Sequence, residues 1–193
     1  MVWQRPQGPR WRELAGRRLA AWAAAVRAAL LLRVALAVLS CSVAAQAEPP
    51  YALIGQNAPD FALRAALGGN ARLSEHRGEV VVVSFWSSRC TPCRTQLAAL
   101  NRSLTTYRSA GLAMFGIGVD DDPTQALEFA RSASVGFSLL LDPGKGVSRS
   151  YQVDNLPMTV LIDRGGTVRN VLRDYSSENE QLYLRQLRAL LNE

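Results

Sequence analysis

One stretch of the chain, V-V-V-V-S-F-W-S-S-R-C-T-P-C at residues 80–93, restricts the fold more than any other. Its apolar, β-branched first half predicts a strand that is buried on both faces. Beyond the two cysteines, apolar residues recur at the three- and four-residue spacings of a helix: Leu97, Leu100, Leu104 and Tyr107. The stretch therefore predicts a buried strand, a turn that carries Cys90 and Cys93, and a helix that leaves the turn.

Strands and helices alternate along the rest of the chain. Further strands are expected at residues 61–65, 114–119, 137–141, 158–162 and 167–172, and further helices at about 123–132, 147–151 and 178–191. The segment D-R-G-G at 163–166 predicts a hairpin between the last two strands. This order predicts an α/β fold, with a central mixed sheet flanked by helices on both faces and an N-terminal β extension.

The formal net charge of +6 comes from the N-terminal segment. Residues 1–47 hold seven arginines and one acid, Glu13, whereas residues 48–193 hold 15 basic and 15 acidic side chains. A nucleic-acid-binding domain carries an excess of basic side chains, and the balanced composition after residue 47 has no such excess. We therefore expect no nucleic-acid partner.

Residues 1–47 are predicted to be a signal peptide, and residues 48–193 the domain. An arginine-rich start is followed by an apolar stretch at 34–45, and A-Q-A at 45–47 offers a small-x-small cleavage pattern. Three alternatives stay open: acylation of Cys41 as in a lipoprotein, retention of residues 28–47 as an anchor, and an alanine-rich soluble helix. Because positive charge stays on the cytoplasmic side, we expect the domain in the bacterial periplasm or on the outer side of the cytoplasmic membrane.

Two cysteines three residues apart can serve several chemistries. A structural zinc site needs four Cys or His ligands, and the domain offers Cys90, Cys93 and His76. The two thiolates could hold Cu(I) with the thioether of Met158, which leaves a copper-binding module as an alternative. A purely structural disulfide across a two-residue loop removes little entropy from the unfolded chain.

The redox interpretation has a physical basis at each position. At the start of a helix, the sulfur of Cys90 faces unpaired N–H groups and the positive end of the helix dipole, which favour the thiolate. Arg89 adds positive charge, and Pro92 suits a first helical turn. Cys93, one turn later, lies deeper. We therefore expect Cys90 to attack a disulfide and Cys93 to resolve the mixed disulfide, with no bound organic cofactor and no metal.

Three motifs carry a resemblance to a known family: G-Q-N-A-P-D-F at 55–61, V-S-F-W-S-S-R-C-T-P-C at 83–93 and L-P-M-T-V-L-I-D at 156–163. In order and spacing they resemble the thioredoxin superfamily, specifically the exported TlpA/ResA-like thiol–disulfide reductases with a redoxin domain. The resemblance implies a thioredoxin-like fold and a monomer. It also implies a membrane thiol–disulfide electron donor, and protein substrates such as apocytochrome c or copper-site assembly factors.

The same resemblance implies roles for residues outside the cysteine pair. Pro157 is expected to be cis and to lie beside the cysteines, and the free backbone of Leu156 is expected to pair with an extended substrate chain. Trp86 is expected to shield the rim of the active site, with a core position as the alternative.

The sequence departs from the family pattern beside the cysteines. Gln96 stands where family members commonly carry Glu, and Ser84 stands where cytoplasmic thioredoxins carry a buried Asp. Neither side chain can titrate, so the resolving thiol lacks the usual carboxylate that relays its proton. Asp60 is a remote candidate for that task. Arg89 replaces a common Trp and should make the disulfide more oxidising.

Three other functions therefore remain open beside a reductase. The same fold could act as an oxidase or isomerase, which the charge of Arg89 would favour. A peroxiredoxin-like peroxidase is the second, although Ser87 stands where those enzymes carry Thr. The third is the Cu(I)-binding module.

Overall fold

The computed structural model describes residues 51–193. A five-stranded sheet forms its centre, in the order β5-β4-β3-β6-β7. These strands are β3 (Val80–Trp86), β4 (Leu112–Gly118), β5 (Ser138–Leu141), β6 (Met158–Ile162) and β7 (Val168–Arg173). A separate hairpin pairs β1 (Ala62–Arg64) with β2 (Asn70–Arg72). The expected signal peptide, its cleavage after Ala47 and the fate of Cys41 lie outside the described residues.

Three α-helices connect these strands: α1 (Thr91–Tyr107), α2 (Pro123–Ser132) and α3 (Gly146–Ser150). A fourth, α4 (Ser177–Leu191), follows the last strand. Single 3-10 turns lie at Leu73–His76 and Arg108–Ala110. β3, β4 and β5 run parallel, so their connections must cross over the sheet, and α1 and α2 form these crossovers. Within residues 51–193, no helix is both long and apolar enough to cross a membrane.

The sheet separates two hydrophobic cores. One core packs side chains of α1, α2 and α4 against one face of the sheet. The other core joins the N-terminal segment around Phe61 with Tyr151, just after α3, on the opposite face. The predicted fold class, a mixed sheet with helices on both faces and an N-terminal β extension, is confirmed.

The strand directions bring three chain segments to one edge of the sheet. β6 runs antiparallel to β3 and parallel strand β4 lies on the other side, so the ends of β3 and β4 meet the start of β6 there. The turn with Cys90 follows β3, the acidic segment at 120–122 follows β4, and Pro157 precedes β6. This edge positions the candidate site.

Candidate active site

Cys90 and Cys93 form a disulfide across the first turn of α1, with their Cα atoms 5.3 Å apart. Cys90 is the residue just before α1, and Pro92 lies in its first turn. Cys90 is partly exposed, whereas Cys93 is completely buried. The N–H groups of a first helical turn have no partner within the helix, so a thiolate at this position is stabilised.

Pro157 follows a cis peptide bond and begins the approach to β6. Its neighbour in the sheet is the end of β3, because Met158 is paired with Phe85. The carbonyl oxygen of Pro157 accepts a hydrogen bond of 3.0 Å from the backbone N–H of Asp174. The proline therefore lies at the same sheet edge as the turn that carries the cysteines.

The expectation that the backbone of Leu156 is free was wrong for its N–H group. That N–H donates to Oδ1 of Asn155 at 2.8 Å, since a short amide side chain can fold back onto the following peptide. Nδ2 of Asn155 in turn donates to Asp174 at 2.5 Å, which holds the amide in place. A substrate strand must displace this amide or pair only with the carbonyl oxygen of Leu156.

The structure places Trp86 in the hydrophobic core and not at the rim. Its side chain is 0% exposed and stacks on Phe129 with 4.6 Å between the ring centroids. The guanidinium of Arg94 lies 4.4 Å from the centroid of Phe129. Trp86 therefore links β3 to α2 and cannot contact a substrate.

Ser84, Gln96 and Thr159 form a buried chain of hydrogen bonds. The hydroxyl of Ser84 donates to Oε1 of Gln96 at 3.1 Å, and Nε2 of Gln96 donates to Oγ1 of Thr159 at 2.8 Å. Gln96 lies one helical turn beyond Cys93, so both side chains project from the same side of α1. The two positions that lack a carboxylate are thus in direct contact.

A cavity of about 20 Å³ lies beside this chain and is lined by Gln96, Thr159, Asp174 and Glu180. That volume is sufficient for a water molecule. Asp60, the remote candidate for a proton relay, lies elsewhere. Its carboxylate accepts from the backbone and hydroxyl of Ser74 at 2.9 and 3.1 Å.

Arg89 is exposed and borders a groove of about 330 Å³ together with Asp121, Asp122, Lys145 and Leu156. Nζ of Lys145 lies 2.6 Å from Oδ1 of Asp121. The pKa of Asp121 is lowered, first by this hydrogen bond and the charge of Lys145, and further by the charge of Arg89. The positive charge of Arg89 therefore favours the ionised carboxylate of Asp121 in this groove.

Asp120 is a site residue that the sequence reasoning missed. It follows β4, is 8% exposed, and accepts hydrogen bonds from the turn before Cys90. Ser87 Oγ donates to it at 2.9 Å and Ser88 Oγ at 2.6 Å. The available signal is the acidic run D-D-D at 120–122, which follows the carboxyl end of a central strand.

The structure places Met158 where its thioether cannot join Cys90 and Cys93 as the third ligand of a Cu(I) site. Met158 is completely buried in the core opposite the one that contains Cys93, and its sulfur lies 3.5 Å from the hydroxyl of Tyr51. In the described part of the chain, no group of three His, Cys, Asp or Glu side chains is placed to hold a metal ion.

Comparison with known proteins identifies the family. The model of the AhpC/TSA family matches residues 54–171. The chain belongs to the AhpC/TSA family. It is 30% identical over 125 residues to the thiol-disulfide oxidoreductase ResA of Geobacillus kaustophilus, an alignment that covers 65% of this chain and 72% of that relative. It is 29% identical over 119 residues to the thioredoxin-like protein YneN of Bacillus subtilis, over 61% of this chain and 69% of that one.

Solved structures give the same result. A DsbE-type thiol:disulfide interchange protein from Chlorobium tepidum has a TM-score of 0.68 and 30% identity, covering 72% of this chain and 97% of its own. A protein disulfide isomerase from Bacteroides thetaiotaomicron has a TM-score of 0.66 and 31% identity, covering 72% and 91%. The resemblance to the thioredoxin superfamily and its ResA-like members is confirmed. The relatives and the Cys90–Cys93 pair together support an oxidoreductase that carries out thiol–disulfide exchange.

Proposed function

We propose that the chain is an exported reductase of protein disulfides. The observation that carries the proposal is the difference in exposure within the pair, since Cys90 reaches the surface at the start of α1 and Cys93 is 0% exposed. An accessible thiolate can attack a large substrate, and a buried thiol can react only with its neighbour. Cys90 is thus the nucleophile and Cys93 the resolving residue.

The reaction consists of two exchange steps. The thiolate of Cys90 attacks one sulfur of a substrate disulfide, a mixed disulfide forms, and the other substrate sulfur leaves as a thiolate that takes up a proton. Cys93 then loses its proton and attacks the sulfur of Cys90, which releases the second substrate thiol. The substrate gains two electrons and two protons, and the enzyme is left with the Cys90–Cys93 disulfide. A membrane thiol–disulfide electron donor returns the pair to the dithiol.

The carboxylates of the groove offset the positive charge of Arg89. Arg89 alone would stabilise the thiolate of Cys90 and make the disulfide oxidising. Three carboxylates, Asp120, Asp121 and Asp122, border the same groove, against the two cations Arg89 and Lys145. Negative charge near a thiol disfavours its thiolate, so the charge of these carboxylates opposes the effect of Arg89 on the reduction potential of the pair.

The remaining parts of the proposal follow from the family. We infer an extended protein substrate seated beside Leu156 and Pro157, in cytochrome c maturation or the assembly of metal sites. We also infer a monomer without an organic cofactor, located in the periplasm or on the outer side of the cytoplasmic membrane. The exposed groove at Leu156 supports an extended substrate at this position.

The Cys93→Ser variant tests this function. It should retain exported proteins as mixed disulfides on Cys90, and the Cys90→Ser/Cys93→Ser double variant should retain none. The unchanged chain should reduce a disulfide-bonded model protein, with a potential near that of thioredoxin at about −270 mV. A potential near the roughly −120 mV of DsbA would instead favour the oxidase. Rapid peroxide consumption, or stoichiometric Cu(I) binding without disulfide turnover, would contradict the proposal.

A further inference from the structure

The carboxylate of Asp120 accepts hydrogen bonds from two residues of the active-site turn. The backbone N–H of Ser88 donates to its two oxygens at 3.0 and 2.9 Å, in addition to the hydroxyls of Ser87 and Ser88. All four contacts come from two consecutive residues. Asp120 thereby joins the end of β4 to the segment that connects β3 with α1.

The contacts continue from this carboxylate to Cys90. Oγ of Ser87, which donates to Asp120, accepts from the backbone N–H of Arg89 at 3.3 Å. The carbonyl oxygen of Ser87 accepts from the N–H of Cys90 at 3.1 Å, and the carbonyl oxygen of Cys90 accepts from the N–H of Cys93 at 3.2 Å. Hydrogen bonds through Ser87 and Cys90 thus connect Asp120 to the first turn of α1.

The two following acids have different partners. Asp121 is paired with Lys145, and Oδ1 of Asp122 accepts from the N–H of Thr124 at 2.8 Å and so caps α2. Asp121 therefore offers a matched comparison, because it has the same charge and adjoins Asp120 in the chain but does not bond to the turn.

We propose that Asp120 is a positioning residue, which fixes the turn at 87–89 so that the sulfur of Cys90 lies at the unpaired N–H groups of α1. These N–H groups stabilise the thiolate fully when the sulfur is held there. If the turn relaxes and the sulfur moves away, part of that stabilisation is lost. Replacement of Asp120 by Asn keeps one acceptor oxygen, but an amide oxygen is a weaker acceptor than a carboxylate, and the amide nitrogen cannot accept the second contact of the Ser88 N–H. The turn would then relax.

The charge of Asp120 and its contacts have opposite effects on Cys90. Loss of a nearby negative charge alone lowers the pKa of a thiol, whereas loss of the turn geometry raises it. The other charged groups around the turn are few: Arg89 within it, Arg94 on α1, Asp121 and Asp122 after β4, and Lys145 before α3. The direction of the change in pKa therefore separates positioning from a simple charge effect.

The test measures the rate of Cys90 alkylation by iodoacetamide against pH in the reduced full chain, with Cys90 and Cys93 peptides separated by mass spectrometry. Asp120→Asn and Ser87→Ala should each slow alkylation at pH 6 by roughly three- to tenfold, through a higher pKa of Cys90. Their double variant should slow it no more than the stronger single variant, because both act on one path of contacts. Asp121→Asn should not slow it.

Two results would overturn the inference: faster alkylation in Asp120→Asn, or an unchanged rate in both Asp120→Asn and Ser87→Ala. Ser87→Ala retains every charge and is the smaller change, so it decides the matter if Asp120→Asn does not fold. The inference rests on the proposed role of Cys90. If Cys90 and Cys93 show the same ordinary pKa in the unchanged chain, the proposed function fails; if Cys90 is the more acidic thiol and both variants retain that acidity, only the role of Asp120 fails.

Discussion

At the scale of single residues, the hydrogen-bonded side chains one helical turn beyond the resolving thiol are all neutral. Ser84 and Gln96 bond to each other, and Gln96 continues to Thr159. None of the three can exchange a proton at neutral pH, so the proton of Cys93 must leave by another route. The water-sized cavity bordered by Asp174 and Glu180 offers one such route.

Gln96→Glu should place a base next to the resolving thiol. A carboxylate at position 96 can accept from the hydroxyls of both Ser84 and Thr159, so its burial is compensated. We expect the mixed disulfide on Cys90 to be resolved faster near neutral pH, by up to about a hundredfold, with a new ionisation in the pH–rate profile. Thr95→Glu adds the same charge on the exposed side of α1 and should leave the profile unchanged. An unchanged profile in Gln96→Glu would show that position 96 does not serve Cys93.

The residues of the site differ in how far the sequence could reveal them. Cys90 and Cys93 are predictable because local chemistry marks them, and Pro157 because the family resemblance implies its place beside them. The bond of Asn155 to the N–H of Leu156, the core position of Trp86 and the contacts of Asp120 depend on which segments the fold brings together. No local pattern of spacing or composition encodes these contacts.

At the scale of elements, β3 and β4 pack closely because two glycines of β4 leave room for the indole of Trp86. The register pairs Trp86 with Gly118 and Ser84 with Gly116. A Cβ atom added at Gly118 would lie 2.8 Å from Cζ2 of Trp86, closer than packed carbon atoms approach. The indole therefore requires glycine on the neighbouring strand.

Gly118→Ala should destabilise the protein by about 1–3 kcal/mol, because the indole or the strand must shift in a close-packed core. Gly144→Ala is the matched control, since a Cβ atom there meets nothing within 4 Å. The free energy of unfolding in urea measures both, and we expect the control to change it by less than about 1 kcal/mol. Equal values for the two variants would show that Trp86 has room to move.

The elements were more predictable than their contacts. The periodic patterns located α2 and β6 at their observed bounds, and they located the other long elements to within two residues or so. They missed β2 (Asn70–Arg72), because a short strand with a single apolar residue between Asn and Arg shows no apolar pattern. β4 begins two residues earlier than predicted, because Leu112 and Ala113, which directly follow the turn at Gly111, already pair with β3.

At the scale of the whole molecule, the N-terminal segment of the described chain closes one face of the sheet. The backbone of Gly55, Gln56 and Ala58 bonds to Val168 and Gly166 at 2.8–2.9 Å. Tyr51 reaches further, and its hydroxyl donates to the carbonyl oxygens of Tyr151 and Gln152. This segment thus joins β7 to the residues after α3, which lead to Leu156 and Pro157.

Tyr51 makes this closure sensitive to alkali. Burial, and to a lesser extent the charge of Asp154, raise the pKa of Tyr51 to about 12, while Arg173 opposes the change. Because the folded pKa exceeds the unfolded value of about 10, the stabilisation is complete below pH 10 and is lost as pH rises through 12. At pH 9, Tyr51→Phe should lower the free energy of unfolding in urea by about 0.5–1.5 kcal/mol, the contribution of a lost hydrogen bond. The difference between the two proteins should be constant from pH 7 to 9 and should narrow from pH 10 to 12. A difference that is constant up to pH 12 would mean that the hydroxyl of Tyr51 ionises equally in both states, and the segment would then be closed by its backbone contacts alone.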